Sequence, residues 1–285
     1  MPEIVVTGAA GFIGRAVCAE LLRRGATVQA VGRSKPVRLP GIAYQQVGGY
    51  DQLKAPAGSI CLHLAGRNSA SGVTGGSEAD HAAAMDLTRA LLSRGFSRVI
   101  FASSALVYGD QCAFARQEDE PATPAGVYAR SKAAVEAVLL AHGHCVARIA
   151  NVYGAGMAET NVLSDLLSQI PGSGMLRVRN LTPVRDFIHV TDVARGLADL
   201  AMEGATGIFN LGTGKRTSIQ ELASLLAAIA GESDRRPVSE AAQGRLSVLI
   251  LDPDKMRRRF GWQAEVQLHE GLRELVERRL NPVSQ

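Results

Sequence analysis

From residue 4 the chain alternates short β-branched and apolar runs with longer stretches whose apolar positions recur at helical spacing. Ile4 to Thr7, Thr27 to Val31, Ile42 to Val47 and Ser59 to Leu64 read as strands, and Phe12 to Arg24 as the first amphipathic helix. A helix over Glu78 to Arg94, a strand over Arg98 to Ser103, a helix over Val127 to Ala141 and a strand over Cys145 to Ile149 continue the rhythm. Strands separated by helical crossovers bury both faces of a parallel sheet. The expectation is therefore an α/β fold with a doubly wound parallel sheet of six or seven strands over residues 1–150. After Asn151 the pattern breaks into pieces punctuated by Pro171-Gly172-Ser173-Gly174, with a strand near Met175 to Val178 and helices over Val190 to Met202 and Ser218 to Ala230. Shorter, interrupted elements predict a smaller, largely C-terminal α/β substrate domain over 151–285, some of whose segments return to the first domain. Ala70 to Gly76, rich in Gly and Ser, reads as a mobile loop.

The first strand runs into Thr7-Gly8-Ala9-Ala10-Gly11-Phe12-Ile13-Gly14, which opens the first helix. Glycines at 8, 11 and 14 allow a tight turn, a close backbone approach to a pyrophosphate and close packing of helix on strand. The free N–H groups and helix dipole attract the negative charge. Strand, turn and helix together predict a Rossmann dinucleotide-binding domain, with Gly8, Gly11, Phe12, Ile13 and Gly14 against the cofactor. The second strand ends Ala30-Val31-Gly32-Arg33-Ser34, without the carboxylate that holds a ribose 2′-hydroxyl and repels a 2′-phosphate. Gly32 removes that repulsion and Arg33 offers a charge for the phosphate, so NADP is favoured over NAD. The alternative is a solvent-facing Arg33 that stacks on adenine whichever cofactor binds.

Tyr128-Ala129-Arg130-Ser131-Lys132 puts a phenol and an ammonium one helical turn apart on one face. A tyrosine is a poor base at neutral pH, but a nearby ammonium and an oxidised nicotinamide favour its phenolate. The same Lys132 can hold the nicotinamide ribose. Phe101-Ala102-Ser103-Ser104 ends a strand at the edge where parallel sheets place their sites, and Ser104 is suited to hydrogen-bond a carbonyl or alcohol oxygen during hydride transfer. The catalytic candidates are thus Ser104, Tyr128 and Lys132.

Composition narrows the classes. A chain of 285 residues, 46% hydrophobic and 20% charged, buries a substantial core. Its net charge of +4 suits an anionic small ligand without implying nucleic acid, and Arg257, Arg258 and Arg259 read as a solvated helix face. The four cysteines, Cys18, Cys61, Cys112 and Cys145, have no metal-type spacing, which points to a reduced cytoplasmic protein with no metal. No apolar run is long enough to span a membrane, and Ile4-Val5-Val6 lacks the flanks of a secretion signal.

These residues resemble the extended short-chain dehydrogenase/reductase superfamily, in its nucleotide-sugar epimerase/dehydratase branch. Beside the turn and the Ser104, Tyr128 and Lys132 set, the resemblance rests on His63-Leu64-Ala65-Gly66, Arg148-Ile149-Ala150-Asn151-Val152-Tyr153-Gly154, Arg185-Asp186-Phe187-Ile188-His189-Val190, Asn210-Leu211-Gly212-Thr213-Gly214 and Phe260-Gly261-Trp262. It implies cofactor contacts from Leu64, Ala65 and Gly66, sugar-nucleotide contacts from Asn151, and diphosphate contacts from Arg185. It also implies a homodimer formed through the helices over 78–94 and 127–141. For Arg185 the alternative is an ion pair, with Asp186 or another carboxylate, that fixes the domain junction. His63 and His189 are expected to stabilise strands and loops rather than react.

The departures from the family pattern are informative. Ala105 and Leu106 stand where the 4,6-dehydratases carry acidic residues, which disfavours elimination of water. Gly48-Gly49-Tyr50 replaces an acidic residue after the third strand, although Asp51 is close, and Ala84 stands where an asparagine is usual. The late Arg-x-Gly-Asp segment reads Ala242-Gln243-Gly244-Arg245, so Arg245 would act from a shifted position. The leading expectation is an NAD(P)-dependent 4-epimerase or 4-ketoreductase of a nucleotide-activated sugar. A reductase of a non-sugar ketone and a non-catalytic dinucleotide-sensing regulator are the alternatives.

Overall fold

The computed structural model describes residues 3–33, 40–66, 77–241, 244–245 and 247–281. The Ala70 to Gly76 segment lies outside them. In chain order the first half runs β1 (Ile4–Thr7), α1 (Phe12–Arg23), β2 (Val28–Gly32), β3 (Ala43–Gln46), β4 (Ile60–His63), α2 (Glu78–Leu92), β5 (Arg98–Ser104), α3 (Gly126–Ala141) and β6 (Cys145–Ile149). The second half runs β7 (Asn151–Tyr153), α4 (Val162–Ser168), β8 (Leu176–Val178), β9 (Val184–Arg185), β10 (Phe187–His189), α5 (Val190–Met202), β11 (Gly207–Leu211), β12 (Thr217–Ser218), α6 (Ile219–Ile229), β13 (Pro237–Ser239), β14 (Val248–Leu249), α7 (Asp254–Phe260) and α8 (Leu268–Leu280).

Seven strands form one parallel sheet in the order β11-β6-β5-β4-β1-β2-β3. The expected doubly wound Rossmann-like sheet is present. Strands β1, β4 and β6 are buried along their whole length, which their near-continuous apolar sequences require once helices cover both faces. On one face α1 and α5 contribute Val17, Leu21, Leu197 and Leu200; on the other, α2 and α3 contribute Leu91, Val135 and Leu139. The strand order reverses about β1, between β2 and β4, and the crevice at such a reversal is where open α/β sheets take ligands.

A separate apolar cluster gathers Leu163, Leu166, Leu176, Leu222, Leu226 and Leu272 from α4, β8, α6 and α8. Tyr153 of β7 and Phe187 of β10 join it. Segments after residue 151 also complete the main core: α5 covers the sheet, β11 forms its edge, and Met256 and Trp262 pack in the same cluster. Trp262 is 3% exposed and donates its indole N–H to the Asp192 carbonyl at 3.2 Å. Asp192 in turn accepts from the N–H groups of Glu265 and Val266 and from Arg195, so it fixes the chain entering α8. Gly196 leaves room for the indole, since a Cβ there would stand 3.1 Å from it.

The loop after β5 is joined to the C-terminal half by bridges from Gln111 to Val248 and from Arg116 to Leu251. Arg257, Arg258 and Arg259 are exposed, as their pattern predicted, and Cys18, Cys61 and Cys145 are buried free thiols. Among the described residues no helix is long and apolar enough to cross a membrane, and no cluster of metal-ligating side chains occurs.

Candidate active site

The glycine turn is built by sterics at two positions. Gly8 has φ +72°, and a Cβ on it would come within 2.7 Å of the Ala65 nitrogen. A Cβ on Gly14 would overlap the Gly8 carbonyl oxygen. The turn is therefore folded onto itself and onto the chain leaving β4. The Gly11 N–H donates to Gly8 O at 2.9 Å, and Gly11 caps α1 without any side-chain hydrogen bond. A helix N-terminus presented in that way is suited to a pyrophosphate. Phe12 and Ile13 are half-buried beside it.

Leu64, Ala65 and Gly66 cross the end of the sheet beside this turn. Leu64 N–H donates to Thr7 O at 3.2 Å, and Gly66 lies against the Lys132 ammonium. His63 is buried, with its Nδ1 2.8 Å from Thr7 Oγ1 and its ring stacked on Phe101. Burial, helped by the positive Lys132, pulls its pKa down to about 3, so it is a neutral strand-joining group, as expected.

At the end of β2, Arg33 is exposed and its carbonyl accepts from Gln46. The reason for Gly32 is steric as well as electrostatic, which sequence reading did not reveal. A Cβ at 32 would overlap the hydroxyl of Tyr44, reaching across from β3. A phenol thus occupies the space in which a carboxylate side chain would begin. No sequence period marks it, because Tyr44 is distant from the turn and its role arises only from strand pairing.

Ser104 and Tyr128 come together at the end of β5. The Ser104 hydroxyl is close enough to the Tyr128 phenol to pull its pKa down, and it accepts from Leu106 N–H at 3.2 Å. Lys132 donates to the Ala102 carbonyl at 2.8 Å and sits 4.5 Å from the centre of the Phe101 ring. Burial lowers its pKa to about 8, against the opposing effect of Glu136. It still carries its charge at neutral pH. Burial raises the pKa of the Tyr128 phenol, and the nearby Ser104 hydroxyl only partly offsets this. Lys132 is 5.9 Å from the centre of the tyrosine ring and is turned to Ala102. The protonated phenol is therefore the resting form, and lysine alone does not produce a base.

One cavity of about 360 Å³ joins these parts. Arg33, Tyr50, Ala65, Gly66, Tyr128 and Lys132 all line it. Two cationic side chains, Arg33 and Lys132, and the glycine-bearing Ala65-Gly66 segment thus face one cavity.

On the substrate side, Asn151 begins β7 and is half-buried. Arg185 is held by the protein itself. Its Nη1 donates to the carbonyls of Val184 and Ser247, and its Nη2 donates to Ser247 Oγ at 2.7 Å and to Asp110 Oδ2 at 3.5 Å. Only Nε–H remains uncommitted of the five guanidinium donors. Its carboxylate partner is Asp110, because Asp186 is buried and bonded by Thr213, Gly214 and Leu251. Arg245 pairs with the other oxygen of Asp110 at 3.0 Å but is 54% exposed along its side chain. Both arginines meet at one carboxylate, and Arg245 is the one free to turn to a ligand. His189 caps α5, where its ring accepts from Thr191 N–H.

The chain matches the NAD dependent epimerase/dehydratase family over residues 4–212. It is similar to a dTDP-6-deoxy-L-talose 4-dehydrogenase (NAD(P)(+)) of Kitasatospora kifunensis, with 28% identity covering 96% of this chain and 94% of the other. Its fold is close to a UDP-glucose 4-epimerase from Thermotoga maritima solved with UDP-glucose. The TM-score is 0.82 at 28% identity, over 96% of this chain and 97% of that one. It is equally close to the Thermus thermophilus UDP-glucose 4-epimerase in complex with NAD, with a TM-score of 0.81 at 25% identity over 99% and 100% of the two chains. A family match spanning the glycine turn, the Ser104 strand and the Tyr128 helix, on a sheet of the same fold, makes this chain a member of the NAD dependent epimerase/dehydratase family.

Proposed function

We propose that the protein is an NAD(P)-dependent epimerase or ketoreductase acting at C4 of a nucleotide-activated sugar. The observation that carries this reading is the cavity lined in common by Arg33, by Ala65 and Gly66 next to the glycine turn, and by Tyr128 and Lys132. The relatives, nucleotide-sugar 4-epimerases and a 4-dehydrogenase, support the substrate class. A bound dinucleotide supplies hydride exchange with the sugar carbon. Tyr128 moves the proton at the substrate oxygen, Ser104 hydrogen-bonds that oxygen, and Lys132 holds the ribose and favours the phenolate once positive charge is added nearby. Ala105 and Leu106 follow Ser104 without an acid, which argues against loss of water. The small exposed side chains Ala82 and Ala137 on the packed pair α2 and α3 support pairing of two copies through those helices.

The test incubates the protein with UDP- and dTDP-hexoses and their 4-keto forms, following cofactor absorbance and sugar configuration together. Inversion without net cofactor change identifies an epimerase; stoichiometric consumption of reduced cofactor identifies a reductase. Turnover only of ketones lacking a nucleotide overturns the substrate reading.

Two expected results follow from the charges at the ends of the site. NADP is expected to bind roughly tenfold to a hundredfold more tightly than NAD, from one charge-assisted contact to Arg33. Because Arg33 is exposed, that preference should shrink with salt and disappear in Arg33→Ala, as read by calorimetric titration of both cofactors. Tighter binding of NAD would reverse the assignment. At the other end, Arg245→Ala is expected to raise KM for the nucleotide sugar with little change in thermal stability. Arg185→Ala should instead lower the melting temperature, since it unpairs Asp110 and strips two carbonyls of a donor. Steady-state kinetics and melting curves for the two variants separate these roles.

A further inference from the structure

The helix that carries the reactive pair meets the strand beneath it through three consecutive strand residues. Tyr128, Lys132 and Glu136 follow each other at four-residue spacing on α3 and so share one face. Opposite them on β5 stand Ser104, which acts on the Tyr128 phenol; Ala102, whose carbonyl accepts from Lys132 at 2.8 Å; and Ser103, whose hydroxyl donates to Glu136. Glu136 is 2% exposed and also accepts from Arg148 on β6, at 2.7 Å from Nη2 and 3.1 Å from Nε. Arg148 is 4% exposed, lies with its guanidinium 4.4 Å from the centre of the Tyr108 ring, and precedes Asn151 by three residues.

We propose that Glu136 is a positioning residue of the active site: by clamping Ser103 and Arg148 it sets the register at which Ser104 and the Ala102 carbonyl meet Tyr128 and Lys132.

The argument is one of geometry and cost. A carboxylate taken wholly out of water survives only if paired and hydrogen-bonded, and Glu136 spends that pairing on two strands of the sheet at once. Ser103 lies between the two strand residues that contact the reactive pair. The three contacts fall along one helix face, at Tyr128, Lys132 and Glu136. A shift of β5 against α3 would therefore move the Ser104 hydroxyl and the lysine's acceptor together. Glu136 has a second effect through space, holding the buried Lys132 in its charged form. The other titratable groups around Lys132 are Tyr128 on its own helix, His63 on β4, Arg148 behind Glu136, and Asp80 and His81 of α2, which line the same cavity. Among these, Glu136 is the group that opposes the desolvation of the lysine.

This inference rests on the dinucleotide reading of the cavity and adds a residue that reading does not use. The test compares wild type, Glu136→Gln, Glu136→Asp and Ser103→Ala by calorimetric NAD(P) binding between pH 6.5 and 9.5 and by turnover per folded molecule, the pH range being chosen roughly to bracket the lysine. Ser103→Ala leaves the Glu136–Arg148 pair intact and keeps the experiment decisive if the charge-removing variant does not fold. Expected are a roughly tenfold loss of kcat with little change in KM for Ser103→Ala, since small misplacements of reacting groups are costly. For Glu136→Gln the alkaline fall in cofactor affinity should move about one pH unit lower, with Glu136→Asp restoring part of it. Lower melting temperatures with unchanged kcat and an unchanged pH response would overturn the proposal and leave Glu136 a purely structural ion. Wild type that binds neither dinucleotide would overturn the cofactor reading itself, and with it this inference.

Discussion

Replacing Tyr128 with phenylalanine is expected to lower turnover about 10²-fold or more while leaving dinucleotide affinity nearly unchanged. The substitution keeps the ring, which lines the cavity near Lys132, and removes only the hydroxyl that faces Ser104. Burial holds that phenol protonated in the ligand-free protein, so proton transfer depends on charge introduced by the oxidised cofactor rather than on Lys132 alone. A ligand-free titration followed by tyrosinate absorbance should accordingly show no Tyr128 ionisation near neutral pH, and the same titration with oxidised cofactor should show one at lower pH. Near-normal turnover in Tyr128→Phe, measured with the true substrate, would remove tyrosine from the reaction.

Gly8→Ala is expected to cut affinity for either dinucleotide by at least tenfold and to lower the melting temperature. Two costs coincide there. The residue sits at φ +72°, which costs an alanine about 1–2 kcal/mol, and its methyl group would stand 2.7–2.9 Å from backbone atoms of Leu64 and Ala65. Relief requires the turn to lift from the chain after β4, which displaces the N–H groups aimed at the pyrophosphate. The contrasting control is Gly25→Ala, also at positive φ but with open space around it, where only the conformational cost applies. Titration calorimetry and melting curves on both variants distinguish the clash from the strain; equal cofactor affinity in the two would discount the close approach.

The parallel sheet was legible because its strands are buried on both faces and announce themselves as apolar runs, β1 and β6 above all. The candidate reactive residues were legible for a different reason, since Tyr128 and Lys132 lie one helical turn apart and Ser104 ends a strand. What the sequence hid depends on partners distant along the chain. Tyr44 fills the space over Gly32 through the pairing of β2 with β3, and Asp110 reaches Arg185 and Arg245 across 75 and 135 residues. The sequence left Arg185 open between a diphosphate contact and an ion pair, and the carboxylate it meets, together with both acceptors on Ser247, comes from segments that could not be paired with it in advance. Glu136 had a readable signal, the continued four-residue spacing after Lys132, but its meaning required knowing that β5 and β6 both lie beneath that helix face.

The chain contains one tryptophan, and Trp262 is buried in the main core rather than in the cavity. Its intrinsic fluorescence is thus a built-in, single-site optical reporter on the seam where the last thirty or so residues fasten to α5 through Asp192. Emission that shifts to the red in denaturant before the far-ultraviolet dichroism decays would time the peeling of that terminal segment from an otherwise intact sheet, without any label being introduced.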